Sequence, residues 1–239
     1  MSKPLVSCLC ITYNRPQLLK EAVYFFLAQE YENKELIIVN DQKEIFYKCD
    51  VPQVKIYNFT TRFPSLGEKR NHAKKLASKD SKYIFWIDDD DVYYPDFLPH
   101  MVGEHEKKPN VDVLKPEITH FSTNNMISQF KSRNVGFPTA SFTKEFSDRQ
   151  DFKPMMFGSD QEYWKGAKIH RLSDGKVTAH IRWGLGIYHV SGGSSDIGNP
   201  DAQKKVFDEV GKRGVKEKKE IITIIPEISE EVKKYYKKY

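Results

Sequence analysis

Three cysteines in 239 residues are too few, and odd in number, for a disulfide framework. Cys8 and Cys10 alternate inside an apparent strand, where core packing accounts for them, and with Cys49 they fit a reducing, intracellular setting. Long apolar runs are missing as well. Tyr24–Ala28, Tyr83–Ile87 and Ile221–Ile225 are the longest, far below the ~18 residues that span a bilayer, so no transmembrane segment is expected. Met1–Val6 has no basic region leading into an apolar stretch, which argues against a secretory signal and for a soluble, cytoplasmic protein. No G-x-G-x-x-G stands between a strand and a helix, against a dinucleotide-binding dehydrogenase. Thr12–Pro16 holds no glycine either, against the phosphate loop that nucleotidyl transfer would want.

With 39% hydrophobic and 30% charged residues, the chain falls among ordinary globular proteins. Its length implies one large domain with an extension. In the first half, strand-length apolar runs alternate with helix-period segments, the pattern of an α/β fold with a parallel sheet. Strands are expected at Val6–Thr12, Glu35–Asn40, Val54–Asn58 and Lys82–Ile87, and helices at Pro16–Gln29, Leu66–Ser78 and Pro95–Lys107. Further strands are expected at Val111–Phe121, Met126–Phe130, Thr139–Thr143, His170–Leu172, Lys176–Arg182 and Leu185–Val190, with a short helix over Gly158–Lys168. Parallel sheets bind ligands beyond the carboxyl ends of their strands. Thr12–Arg15, Asp41 and Asp88–Asp91 would share that edge.

Asp88, Asp89, Asp90 and Asp91 follow directly on the apolar strand Tyr83–Ile87. Four successive carboxylates repel one another, and a hard cation, Mg²⁺ or Mn²⁺, would relieve that while leaving positions open for phosphates. An acidic surface turn is the alternative. The alternating ligands and central glycine of an EF-hand are absent.

Taken together, Val6-Ser7 with Thr12-Tyr13-Asn14-Arg15, Val39-Asn40-Asp41, Gly67-Glu68-Lys69-Arg70-Asn71 and Ile87–Asp91 resemble, in order and spacing, the successive blocks of glycosyltransferase family 2. The resemblance covers roughly residues 4 to 193. It implies the GT-A fold, a Rossmann-like, mostly parallel sheet flanked by helices with a small second antiparallel sheet. It also implies an inverting, metal-dependent transfer from a nucleotide-sugar, a UDP-sugar by preference, to an acceptor hydroxyl. The domain would occupy 1–199, with a nucleotide-sugar-binding half at 1–107 and an acceptor-binding half at 108–199.

By the same resemblance Thr12, Tyr13, Asn14, Arg15 and Asp41 would hold the nucleoside, and Arg70 would approach the base or diphosphate. Asp88 and Asp89 would lie on the donor side and Asp90 would bind the metal, with Asp88 and Asp90 forming the working pair. Asp160 in Gly158–Trp164 aligns with the general base, with Glu162 a competitor because Ser159 replaces the acidic residue normally before Asp160. His189 would be a further metal ligand, and Ser191–Ser195 a lid. Each position also has a plainer reading: Asp41 as a turn or cap residue, Arg70 as a helix-surface arginine, Asp160 as an N-cap, His189 as a satisfied strand-end histidine and Ser191–Ser195 as a flexible turn.

Residues 200–239 read as a basic helical extension. From residue 203 onward, eleven Lys/Arg stand against seven Asp/Glu, supplying four of the five net positive charges. A solvated amphipathic helix is one reading. Contact with a polyanion is the other, and makes a modified nucleic-acid base an alternative acceptor. A non-enzymatic nucleic-acid-binding module is a third hypothesis, which leaves the Asp run unexplained.

Overall fold

A computed structural model describes residues 3–123, 126–131, 137–155, 162–182 and 219–236. The chain opens with β1 (Val6–Thr12), α1 (Pro16–Leu27), β2 (Lys34–Asn40), β3 (Ile45–Lys48), β4 (Val54–Asn58) and α2 (Leu66–Leu76). It continues through β5 (Tyr83–Trp86), β6 (Val92–Tyr93), α3 (Phe97–Lys107), β7 (Val113–Pro116), β8 (Ile118–Thr123) and β9 (Met126–Lys131). It closes with β10 (Ser141–Thr143), α4 (Lys144–Arg149), β11 (Ile169–Leu172), β12 (Ala179–Arg182), β13 (Glu220–Thr223) and α5 (Glu230–Tyr236).

The main sheet runs β11-β7-β10-β5-β1-β2-β4 and is parallel except for β10. A smaller sheet, β6-β12-β8-β9, combines two antiparallel pairings with one parallel pairing. Both faces of the main sheet are covered, which is why its central strands are mostly apolar on both sides rather than alternating. Cys8, Cys10, Leu36 and Ile38 face the core that holds α1 and α3, while Leu9, Ile37, Val39, Ile84 and Trp86 face the one that holds Ala73 and Ala77. Cys8 and Cys10 are free, buried packing residues.

Local signals explain the helices that shape the site. Pro16 at the first turn of α1 supplies a helix-ready φ where its missing N–H costs nothing. Ser65 caps α2 through Ser65 Oγ accepting from the Glu68 N–H at 3.2 Å, while its hydroxyl donates to the Glu68 carboxylate at 2.8 Å. Gly67 sits where the chain over 152–155 crosses α2. An added Cβ would lie 1.8 Å from the Lys153 carbonyl oxygen, so no side chain is accommodated there.

The single strand expected over Val111–Phe121 is two strands in different sheets. Pro116 ends β7, and the Glu117 N–H turns to the Leu172 carbonyl at 3.0 Å. The C-terminal extension also differs from a solvated helix in its described part. Ile221–Thr223 pair with Phe46–Lys48 of β3 in parallel, and Ile224, Ile228, Val232 and Tyr236 are buried in the α1 core. The Tyr236 ring lies 5.2 Å from that of Phe25. Among the described residues no helix is long and apolar enough to cross a membrane.

His105 of α3 is buried, stacked on Tyr83 at 4.5 Å and hydrogen-bonded through Nε2 to Ser141 Oγ at 3.0 Å. Burial pushes its pKa down to about 4 from 6.5. The unfolded chain therefore binds more protons between these values, and stability drains away as the pH falls through that window. His105→Gln should flatten the loss, by up to on the order of 3 kcal/mol between pH 7 and pH 4, as read from urea unfolding of both proteins at each pH.

Candidate active site

The chain builds outward from β1 to β2 and β4 on one side, then crosses to β5 on the other. This reversal opens a crevice beyond the carboxyl ends of β1 and β5, the place where open α/β sheets take ligands. Thr12 ends β1, and Ile87 continues β5 with its N–H on the Leu9 carbonyl at 2.9 Å. The two loops that leave these ends meet.

Thr12 Oγ1 donates to Asp89 Oδ2 at 2.7 Å, and Arg15 Nη1 reaches Asp89 Oδ1 at 2.9 Å and Asp90 Oδ2 at 3.1 Å. Asn14, at φ 53°, takes the left-handed turn between them, a conformation asparagine tolerates. Tyr13 lies with its ring 3.7 Å beneath the Arg62 guanidinium.

The Asp run is divided by its surroundings. Asp89 and Asp91 are buried, whereas Asp88 and Asp90 are partly open. Asp88 N–H donates to Tyr93 Oη at 3.1 Å, and Asp91 Oδ1 accepts the Arg182 N–H at 2.9 Å. Burial raises the Asp89 pKa against the opposing Arg15 charge. Burial, then the Asp90 and Asp88 charges, raise that of Asp91 well above the usual carboxylate range. Carboxylate oxygens of Asp88, Asp90 and Asp91 lie within 4.8 Å of one another. Three hard oxygen donors at this spacing, two of them carrying mutual repulsion into a third that is buried, fit a divalent cation. Asp91 thus lies beside the expected pair Asp88 and Asp90, and Asp89 is held by Thr12 and Arg15.

Asp41, just past β2, is buried against Lys69 of α2, whose ammonium donates both to Asp41 Oδ1 and, at 2.7 Å, to the Thr12 carbonyl. Asp41 Oδ2 accepts the Phe63 N–H at 3.0 Å. Burial lowers the Lys69 pKa, with Asp41 pulling it back up. Sequence reasoning passed over Lys69 as one helix lysine among several. Its signal is periodicity, since Lys69 and Ala73 stand at i and i+4 on the buried face of α2. Arg70 is not a surface residue either. Its guanidinium lies 5.0 Å from the Phe137 ring, 5.4 Å from Phe152 and 5.8 Å from Trp86.

On the acceptor side, Asp160, His189 and the Ser191–Ser195 segment lie outside the described residues. Asn71 clamps the approach to that region, donating to the Phe152 carbonyl at 2.9 Å and accepting its N–H at 2.8 Å. Glu162 is ion-paired with Lys165 at 2.6 Å and Lys153 at 2.9 Å, and these lysines hold its carboxyl down at about 2.

Removing one partner of a buried ion pair strands the other charge. Lys69→Met should cost about 3–5 kcal/mol in urea unfolding, and Lys69→Met combined with Asp41→Asn should recover a large part of it. An additive double mutant would mean that the pair is not coupled.

A model of the family described as Glycosyl transferase family 2 matches residues 7–171. An uncharacterised glycosyltransferase of Rickettsia felis is 31% identical over 115 residues, 46% of this chain and 19% of the relative. One of Methanocaldococcus jannaschii is 30% identical over 146 residues, 57% of this chain and 50% of the relative. The chain therefore spans no more than half the length of either relative. Among solved structures, S. aureus TarS 1–349 in complex with UDP-GlcNAc matches with a TM-score of 0.61 at 17% identity, over 86% of this chain and 65% of that one. The mannosyltransferase PcManGT of Pyrobaculum calidifontis in complex with GDP-Man and Mn²⁺ matches with a TM-score of 0.57 at 16% identity, over 79% and 60%. These likenesses show the fold, the GT-A arrangement of a large mostly parallel sheet and a smaller one. With the family model matching well over half of its length, the chain belongs to glycosyl transferase family 2.

Proposed function

We propose that this chain is an inverting, cation-dependent glycosyltransferase that moves a sugar from a nucleoside-diphosphate sugar, a UDP-sugar by preference, to an acceptor hydroxyl. The observation that carries the reading is the Asp88, Asp90 and Asp91 oxygen cluster at the β1/β5 crevice. Family membership and the two neighbours solved with UDP-GlcNAc and with GDP-Man and Mn²⁺ support it.

In this reading Asp88, Asp90 and Asp91 hold Mn²⁺ or Mg²⁺. Bound there, the cation supplies Lewis-acid stabilisation of the departing diphosphate. Asp41 and the Tyr13–Arg62 pair form the nucleoside end, with Lys69 fixing the Asp41 carboxylate so that it need not reorganise on binding. Asp89 positions rather than binds the cation, because it stands outside the oxygen cluster and ties the loop to Thr12 and Arg15. Arg15, which also reaches Asp90, is a counter-charge that a cation would displace from that carboxylate.

Inversion needs one base to take the acceptor proton. For that role we take Asp160, which aligns with the family's base, over Glu162, whose carboxylate is engaged by Lys165 and Lys153. In the described part of the C-terminal segment, Tyr236 is buried in the α1 core rather than displayed for a nucleic-acid acceptor.

Thermal unfolding with Mn²⁺ and UDP together should show stabilisation that neither gives alone, and Asp90→Asn should abolish it. Asp160→Asn should keep that stabilisation while turnover of the donor falls by about 100-fold or more. Glu162→Gln should leave turnover nearly unchanged. If no nucleotide stabilises the protein with or without the cation, the reading fails. Full turnover in Asp160→Asn would remove the base from that residue.

A further inference from the structure

Arg182 is the end of β12 and the most heavily engaged cation near the Asp run. Its backbone N–H donates to Asp91 Oδ1 at 2.9 Å, its Nε donates to the Asp90 carbonyl, and its Nη1 donates to Glu21 Oε2 at 2.7 Å. Glu21 is fully buried on α1, in a helix face otherwise made of leucine, alanine, valine and phenylalanine. Its other oxygen accepts the Ser229 N–H at 3.0 Å. A residue 208 positions later in the chain therefore satisfies the carboxylate that holds Arg182.

A second tie runs in parallel. Tyr236 Oη donates to the Tyr93 carbonyl at 3.5 Å, and Tyr93 Oη accepts the Asp88 N–H at 3.1 Å. Hydrogen bonds through Glu21 and Arg182 thus connect the C-terminal segment to Asp90 and Asp91, and Tyr93, whose carbonyl receives Tyr236, holds the Asp88 N–H through its phenol.

A buried ion pair is a poor source of stability, since desolvation offsets the attraction. Groups that orient metal-binding side chains, by contrast, have strong effects on cation affinity. We propose that Arg182 is a positioning residue for the cation site, and that Glu21, capped by the Ser229 N–H of the docked C-terminal segment, holds Arg182 in place. Arg182 fixes the Asp90 backbone and the Asp91 side chain at once, and so sets the spacing of the oxygen cluster. This rests on the cation-binding reading given above.

Arg182→Lys exchanges the planar fork, whose Nε and Nη1 face the Asp90 carbonyl and Glu21 in fixed directions, for a flexible ammonium without that geometry. Glutamine at 21 leaves one acceptor oxygen for two donors, so Arg182 or the Ser229 N–H loses its partner. The test is Mn²⁺ titration of the full chain, followed by the electron paramagnetic resonance signal of the free ion, together with the melting temperature. Arg182→Lys and Glu21→Gln are each expected to raise the Mn²⁺ Kd by about tenfold. Phe146→Leu, in the core on the far side of the sheet, should lower the melting temperature with the Kd unchanged. Should Arg182→Lys fail to fold, Glu21→Gln carries the test alone, being the milder exchange. Wild-type Mn²⁺ affinity in folded Glu21→Gln overturns the positioning role. No Mn²⁺ binding by the wild type would instead sink the cation-binding reading itself.

Discussion

The constraint on which the site depends is that four consecutive carboxylates leave the end of a fully buried strand. Each must find a counter-charge, a hydrogen-bond donor or water, because an unpaired charge in the interior is costly. The protein meets this by alternation. Asp89 turns inward to Thr12 and Arg15, Asp91 turns inward to the Arg182 N–H, and Asp88 and Asp90 stay partly open. Each inward residue thereby ties the β5 loop to another element, β1 and α1 for the first and β12 for the second.

That solution dictates where the other buried cations sit. Lys69 is nearly inaccessible beside Asp41, and Arg182 beside Glu21. A carboxylate and its partner come from different elements in both cases, so forming the pair also sets how those elements dock. Lys69 joins α2 to the ends of β1 and β2, and Glu21 joins α1 to β12 and to the segment before α5. The crevice at the β1/β5 reversal is walled by these pairs rather than by apolar packing alone.

Much of this was legible in the residues. Cys8–Ile11 and Leu36–Val39 announce buried parallel strands by unbroken hydrophobicity, and the Asp run announces itself by charge. Other parts had no local signal. Ile45–Lys48 is a strand only because Glu220–Thr223, 175 positions on, supplies its partner, and short sequence windows hold no record of such a pairing. Glu21 and Arg182 share that difficulty, since neither residue has a neighbour in sequence that implies the other. A spaced pair, Asp88 and Asp90, is what the run implies by resemblance, whereas the turn closed by the Asp91 N–H on the Asp88 carbonyl at 3.3 Å brings the fourth carboxylate back to the first.

Lys69 and the C-terminal helix teach a different point, because there the signal was present and residue type outweighed it. A lysine in a lysine-rich helix reads as solvated, yet its i, i+4 spacing to Ala73 places it on the buried face. A tail with a surplus of basic residues reads as an electrostatic arm, yet Ile228, Val232 and Tyr236 repeat at the same spacing and are the residues that dock. Charge and packing occupy different faces of one helix. Lys233 pairs with Glu230 at 2.6 Å on the open side, while the apolar stripe seals α1. Net charge counts all faces together and cannot distinguish an arm from a docked helix with a wet side. Periodicity can, because it reports which side chains share a face, and it is the face that decides whether Ser229 comes within reach of Glu21.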